Sequence, residues 1–247
     1  MLGLGEAEVI ARDDQLVPAA DAARFADLLH RRLGGEPVAY LRGEKEFYGR
    51  RFAVDRRVLI PRPETEHLVE AVLGLLLPPA PRILDVGTGS GCLAVTLALE
   101  LPGARAAAAD LSPGALAVAA ANARRHGAGD RVLAVAADLA APFDLAAFDL
   151  VVSNPPYVDA AEAPLLSPEV CNFEPHLALF PPGGGDSILA RLCAVGSRLR
   201  SGVPLVVEIG AGQLDAVRRH AAAAGLEVEA VRPDYAGVPR VLVLRRR

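Results

Sequence analysis

RILDVGTGSGC, residues 82–92, runs an apolar stretch straight into three alternating glycines. RILDVG reads as a buried strand, and Gly91 to Leu101 as a helix, so the glycines join strand to helix. Gly87, Gly89 and Gly91 give G-x-G-x-G, with Thr88 and Ser90 between them, and not the G-x-G-x-x-G of dinucleotide folds. Glycine lets the backbone turn tightly and approach a ligand without a Cβ clash. The helix N-terminus behind offers free N–H groups. No Lys-Ser/Thr pair follows, so this is not a nucleoside-triphosphate loop.

Downstream of this loop the chain alternates. ARAAAAD is a weak strand. A helix over Pro113 to His126 follows, with Ser112 as N-cap and Pro113 at its first position. RVLAVAAD and FDLVVSN are strands, DSILARLCAVGSRL a helix, VPLVVEIG a strand and QLDAVRRHAAAAG a helix. LEVEAVRPD and RVLVLRR end the chain as strands with no helix between them. The expected architecture is α/β: a mainly parallel sheet covered on both faces and closed by an antiparallel hairpin. The Pro- and Gly-rich stretch from Val158 to Gly185 is long enough to suspect a functional lid.

Upstream, residues 21–33 place Phe25, Leu28, Leu29 and Leu33 on one helical face, with Asp21 as N-cap and Gly34-Gly35 as terminator. Phe47, Phe52, Val54, Val58 and Ile60 suggest a β-hairpin with Gly49 and Asp55-Arg56 as turn candidates, stopped by Pro61 and Pro63. Glu64 to Leu77 reads as an amphipathic helix. The domain reading is residues 1–42 helical, 43–60 a linking hairpin, and 61–247 the α/β unit.

Acids sit where a nucleoside would need them. Asp110 ends the second strand of the unit, where a carboxylate accepts both hydroxyls of a ribose. Asp138 ends the third, with Leu139 beside it, near the adenine edge. A glycine loop alone also serves as a tight turn for helix packing. Together, in order, these features describe a nucleoside cofactor across the carboxyl ends of the strands. With no pyrophosphate pattern, S-adenosylmethionine fits better than NAD.

SNPPYVD, residues 153–159, leaves the fourth strand into the same crevice. Pro155 and Pro156 lack N–H groups and hold an extended path, which leaves carbonyls free to face a ligand. Asn154 adds a side-chain acceptor, and Tyr157 a flat π-face. Two acceptors and a ring match a planar nitrogen carrying two hydrogens, which in-line methyl transfer can alkylate by positioning and electrostatics. A Pro-Pro turn with a packing tyrosine is the structural alternative.

Composition bounds the rest. At 52% hydrophobic, 247 residues support a sizeable core, so disorder is not expected. A net charge of −4 weighs against a protein held to duplex DNA by phosphate contacts. Arg31-Arg32, Arg50-Arg51, Arg56-Arg57 and Arg245 to Arg247 read as solvated surface. Cys92, Cys171 and Cys193 form no CxxC pair, so no metal site is expected. MLGLGEAEVIARDD lacks a signal-peptide pattern, and no run reaches the about 18 apolar residues of a membrane span. A cytoplasmic, monomeric protein without membrane association is expected.

These residues resemble a known family. N-P-P-Y after the fourth strand is shared by amino-group methyltransferases acting on adenine, cytosine or glutamine. GEPVAYLRGEKEFYG followed by VLIPRPETE narrows the likeness to the release-factor glutamine methyltransferases, the HemK/PrmC family. The resemblance covers nearly the whole chain from about Asp21, with ILDVGTGSGCLAV, FDLVVSNPPYV, FEPHLALF, EIGAGQ and DYAGVPRVLVL in order. The related enzymes that methylate a ribosomal-protein glutamine carry a Pro-Arg-Ser-type block instead of IPRPETE.

The resemblance implies a class I, Rossmann-like methyltransferase fold. It implies S-adenosylmethionine as donor and the glutamine amide nitrogen of the Gly-Gly-Gln motif in peptide release factors as acceptor. Gly87, Thr88, Gly89, Ser90, Gly91 and Asp110 would hold the cofactor, with Asp138 or Leu139 near adenine and Asn154 near the methyl. Asn154, Pro155, Pro156 and Tyr157 would grip the glutamine, with Asn154, Pro155 and Tyr157 the catalytic set. Arg62, Glu64 and Thr65 would shape the cofactor pocket, although a structural role fits each equally. Family members usually carry a longer helical domain before the hairpin, which docks the release factor; about 40 residues precede it here, so a truncated domain and weaker docking are implied. The rivals are a DNA or RNA adenine-N6 methyltransferase, which would need a basic groove, and a non-catalytic binding protein of the same fold.

Overall fold

The computed structural model describes residues 6–12 and 14–247. Residues 1–5 and 13 of the N-terminal stretch read above for a signal peptide lie outside the described residues. Nine strands are described: β1 Glu44–Phe47, β2 Arg50–Ala53, β3 Arg82–Val86, β4 Arg105–Asp110, β5 Val132–Ala136, β6 Leu150–Ser153, β7 Pro204–Glu208, β8 Leu226–Pro233 and β9 Pro239–Arg246. The helices are α1 Glu6–Ala11, α2 Ala19–Leu33, α3 Val38–Arg42, α4 Glu66–Leu73, α5 Cys92–Glu100, α6 Pro113–Arg125, α7 Pro168–Phe173, α8 His176–Leu179, α9 Gly185–Gly196 and α10 Leu214–Ala223.

Strands β3 to β9 form one sheet in the order β5-β4-β3-β6-β7-β9-β8. The first five are parallel, and β9 runs antiparallel to both β7 and β8, so β8 points the same way as the first five. This is the expected mainly parallel sheet with a terminal hairpin. Because β3, β4 and β5 step one way and β6 returns to the other side of β3, the order reverses at β3. Open α/β sheets leave a ligand crevice at such a switch point.

The period-2 alternation of a strand splits the core in two. Ile83 of β3 and Val206 of β7 face α4, α5 and the hairpin residues Phe47 and Phe52. Leu84, Val86, Leu205 and Val207 face α9 and α10 through Ile188, Leu192 and Val217. Each fully buried Leu, Ile or Val contributes about 1.5–3 kcal/mol. This double-sided burial is the main term holding the crevice rigid.

The hairpin is tighter than expected. β1 and β2 pair Phe47 with Arg50 across Tyr48-Gly49, both at positive φ (50° and 70°), as a two-residue type I′ turn requires. Val54, Val58 and Ile60 are buried outside the strands, in a cluster with Tyr40, Ala115 and Val118. Val54 N donates to the Gly43 carbonyl at 3.1 Å, Tyr40 hydroxyl to the Val58 carbonyl at 2.7 Å and Ile60 N to Glu174 Oε2 at 3.1 Å, so beyond Val54 the segment is held by side chains and not by a ladder.

Two helix readings are corrected, the Asp21 N-cap and the extent of the Glu64 to Leu77 helix. Pro18, not Asp21, precedes α2, and Asp21 falls in its first turn, where a carboxylate meets the positive end of the helix dipole. No residue of α2 is buried; Phe25, Leu29 and Leu33 lie on the surface. Glu64 to Leu77 is a 3-10 turn at Pro63–Thr65 and then α4, which stops at Gly74. Leu77 precedes Pro78-Pro79, and the residue before proline is pushed out of the helical region. Ser112 and Pro113 hold their expected positions, with Ser112 Oγ accepting from Ala115 N.

Candidate active site

Strand register builds the site. Val86 pairs with Ala109 on one side and Ser153 on the other. Residues 87, 110 and 154 therefore leave the sheet side by side. Ser153 Oγ donates to the Val86 carbonyl at 2.7 Å and locks β6 to β3 at that point.

The glycine loop is braced by two acids. Gly89 N donates to Asp110 Oδ2 and Ser112 N to Asp110 Oδ1, each at 2.9 Å. Beneath it, fully buried Asp85 accepts from Thr88 Oγ1 at 2.6 Å and from Ala94 N at 3.2 Å. Burial pushes the Asp85 carboxyl up to about 7, against these two bonds, and Oδ1 has no partner among the described residues. Asn122 Nδ2 donates to the Ser90 carbonyl at 2.8 Å and ties the loop to α6.

The loop glycines divide their work. Gly87, Gly89 and Gly91 have φ of 75°, 55° and 80°, the left-handed region. A Cβ at Gly91 would sit 3.0 Å from Ala119, so this glycine serves α5–α6 packing. A Cβ at Gly89 would meet nothing within 4 Å, and at Gly87 only the Asn154 carbonyl oxygen at 4.0 Å. These two leave an open cradle beside Asn154, which fits a nucleoside cofactor's approach.

Asn154, Pro155, Pro156 and Tyr157 line one cavity of about 290 Å³ with Arg62 and Leu59. Its other wall is the 158–185 stretch, through Leu166, Val170 and Leu179. The suspected lid is thus three short helical pieces folded over the NPPY segment, and Val158 N donates to the Leu179 carbonyl. Asn154 Nδ2 donates to Thr65 Oγ1 at 2.9 Å, which leaves Oδ1 as an acceptor. The Pro155 carbonyl accepts no hydrogen bond among the described residues. The Tyr157 carbonyl is not free: Gln213 Nε2 donates to it at 3.0 Å. Burial pushes the Tyr157 phenol up to about 12, so it stays neutral at physiological pH.

Asp138 and Leu139 follow β5 beside Asp110, whose carbonyl accepts from Ala137 N at 3.0 Å. They line a different cavity of about 260 Å³, and Arg191 Nη2 donates to both Asp138 oxygens at 2.8 Å. Leu139 has φ of 52°, which turns the chain after β5. Arg62 borders the NPPY cavity and pairs with Glu174 of the lid.

Other residues here carried no assignment from sequence. Glu174, 3% exposed, accepts from Arg62 Nη2 at 2.6 Å and Ile60 N at 3.1 Å. Gly210 presents its backbone to the Tyr157 ring, where a Cβ would lie 3.0 Å from Cδ2. Gly210 N donates to Gln213 Oε1, aiming the other end of that amide at Tyr157. A polar residue inside FEPHLALF or EIGAGQ was the signal available, but spacing alone names no partner.

Comparison with known proteins fixes the family. Residues 65–167 match the model of the methyltransferase small domain, and residues 1–43 that of the PrmC N-terminal domain. The chain is 43% identical over 249 residues to release factor glutamine methyltransferase of Nitratidesulfovibrio vulgaris, covering 99% of this chain and 84% of that protein.

The chain belongs to the release factor glutamine methyltransferase family.

The relative from Cereibacter sphaeroides agrees, at 47% identity over 233 residues, 94% of this chain and 82% of that one. A methyltransferase structure from Pyrococcus furiosus superposes with a TM-score of 0.61 at 14% identity, over 90% of this chain and 98% of that one, and supports the fold. Membership in the release factor glutamine methyltransferase family makes the protein a methyltransferase with a Rossmann-like sheet. The matched segment runs from Thr65 through the glycine loop, Asp110 and Tyr157. No helix among the described residues is long and apolar enough to cross a membrane.

Proposed function

We propose that this protein transfers a methyl group from S-adenosylmethionine to the side-chain amide nitrogen of the glutamine in the Gly-Gly-Gln motif of peptide release factors. The observation that carries the reading is the juxtaposition of the open Gly87–Gly89 cradle with a cavity walled by Asn154, Pro155 and Tyr157. The relatives' names support the choice of substrate.

Gly87, Thr88, Gly89, Ser90, Gly91 and Asp110 would hold the cofactor, with Asp138 or Leu139 toward adenine. Bound S-adenosylmethionine supplies an electrophilic methyl on a sulfonium sulfur. Asn154 Oδ1 and the Pro155 carbonyl accept the two amide hydrogens of the glutamine. Those bonds aim the nitrogen and push electron density onto it, a positioning and electrostatic effect. Pro156 keeps the segment extended, and the Tyr157 ring stacks on the amide plane. The apolar wall of Leu166, Val170 and Leu179 excludes water. The alkylated nitrogen loses its proton readily, so no strong base is needed. At about 290 Å³ the cavity suits one side chain, since it falls just below the roughly 300–1,000 Å³ of ligand pockets. We read residues 61–247 as the catalytic unit, 43–60 as a link and 1–42 as the release-factor contact, in a cytoplasmic monomer that does not bind DNA directly.

The test offers radiolabelled S-adenosylmethionine with release factor, with release factor carrying Gln→Ala in that motif, and with DNA. Label is expected on the first alone. Label in DNA, or label indifferent to the glutamine, refutes the reading. Asn154→Ala is expected to lower turnover on the order of 10²-fold, the effect of losing one aligned polar group, while cofactor affinity changes little.

A further inference from the structure

We infer that Thr65 and Glu208 are positioning residues that decide which end of the Asn154 carboxamide faces the substrate. This rests on the reading above, in which Asn154 Oδ1 accepts from the glutamine amide.

The two ends of a carboxamide are almost the same size, so packing alone does not choose between them. Were Asn154 flipped, its NH₂ would face the substrate's NH₂, donor against donor. The Thr65 hydroxyl makes the choice. It has one proton to give, and it is 2% exposed. Its oxygen accepts from Asn154 Nδ2 at 2.9 Å. The carboxyl beside it is Glu208, which the Thr65 hydroxyl holds lower than burial alone would. An ionised carboxylate can only accept. Thr65 must therefore donate to Glu208, its oxygen must accept, and only the nitrogen end of Asn154 can supply that bond.

Register brings the three together. Val207 of β7 pairs with Ser153 of β6, so Glu208 and Asn154 follow on neighbouring parallel strands. Thr65, at the start of α4, reaches both. Glu208 is 1% exposed, and its Oε2 has no partner among the described residues. The charged and titratable groups around it are Arg240 of β9 and Arg62 and Glu64 before α4, with Tyr157 after β6 and Cys92 of α5. Burial outweighs the two arginines and holds the Glu208 carboxyl at about 7. A protonated Glu208 can donate to Thr65, which frees the Thr65 proton for Asn154 Oδ1 and turns the amide the wrong way. Turnover then falls as pH drops through about 7.

The experiment measures kcat and KM on release factor from about pH 5.5 to about pH 9 for the full chain. The variants are Thr65→Val, Thr65→Ser and Glu208→Gln. Thr65→Val is expected to lower kcat about tenfold or more, with KM and S-adenosylhomocysteine affinity within about threefold; Thr65→Ser restores most of it. The acidic fall of kcat is expected in the parent and absent in Glu208→Gln. A full kcat in Thr65→Val, or the same acidic fall in Glu208→Gln, overturns the proposal. Glu208→Gln carries the test alone if Thr65→Val does not fold. A parent enzyme that puts no label on the release-factor glutamine marks failure of the underlying reading instead. The Asn154 side-chain amide resonances then decide: a shift in Thr65→Val and in Glu208→Gln supports the positioning role, and no shift overturns it.

Discussion

Arg62 and Glu174, 112 residues apart in sequence, meet at 2.6 Å and join the segment before α4 to the lid over the NPPY cavity. The Glu174 side chain is almost wholly buried, while Arg62 keeps about a third of its surface. Glu174 also accepts from Ile60 N. Glu174→Ala orphans that N–H and the arginine together. We expect a loss of about 1–3 kcal/mol in urea unfolding, below the value for a fully buried pair because Arg62 is partly solvated. KM for release factor should rise more than cofactor Kd. Equal stability and KM in variant and parent would show that the pair does not hold the lid.

Gly185 opens α9 directly against the NPPY backbone. A Cβ there would lie 2.7 Å from the Tyr157 carbonyl carbon and 3.1 Å from Gln213 Nε2. Gly185→Ala is expected to cost about 1–3 kcal/mol of stability through overpacking. It should also displace the Tyr157 ring and lower kcat/KM. The measurement pairs thermal unfolding with steady-state kinetics, and a variant as active as the parent would contradict the contact.

Gly89 separates binding from folding. Its Cβ would find open space, so Gly89→Ala costs only the backbone strain of a positive φ, about 1–2 kcal/mol. The new side chain occupies the cradle, and S-adenosylmethionine affinity should fall about tenfold or more. Calorimetric titration on the folded variant checks it; undiminished affinity would place the cofactor elsewhere.

Glu208 makes stability depend on pH in an unusual direction. Burial raises its folded pKa to about 7, above the roughly 4.3 of an unfolded glutamate. Its contribution is full below the unfolded value and is lost as pH rises through about 7. Replacement by Gln removes this loss. Relative to the parent, Glu208→Gln should therefore gain stability between about pH 5 and pH 8, on the order of 2 kcal/mol. Glu36, Glu44, Asp55 and Asp234 have lowered pKa values and act oppositely, so the difference between the two proteins is the quantity to read. A constant difference at both pH values rules the effect out.

The amino-acid sequence by itself determined what is local. Alternating strands and helices, the glycine loop with its positive φ angles, the Ser112-Pro113 cap and the rigid NPPY exit all follow from neighbours a few residues apart, whose conformational preferences need no partner. Several independent blocks in order also carried the family. Tertiary structure alone decided who meets whom. Asn154 finds Thr65 across 89 residues and Tyr157 finds Gln213 across 56, because strand register and helix packing, not spacing, bring those atoms within 3 Å. The same applies to Asp138, which turns to Arg191. It applies again to the apolar stripe of α2, whose period is helical but which no described element covers. Periodicity reports which face is apolar; only the folded chain supplies what lies against it.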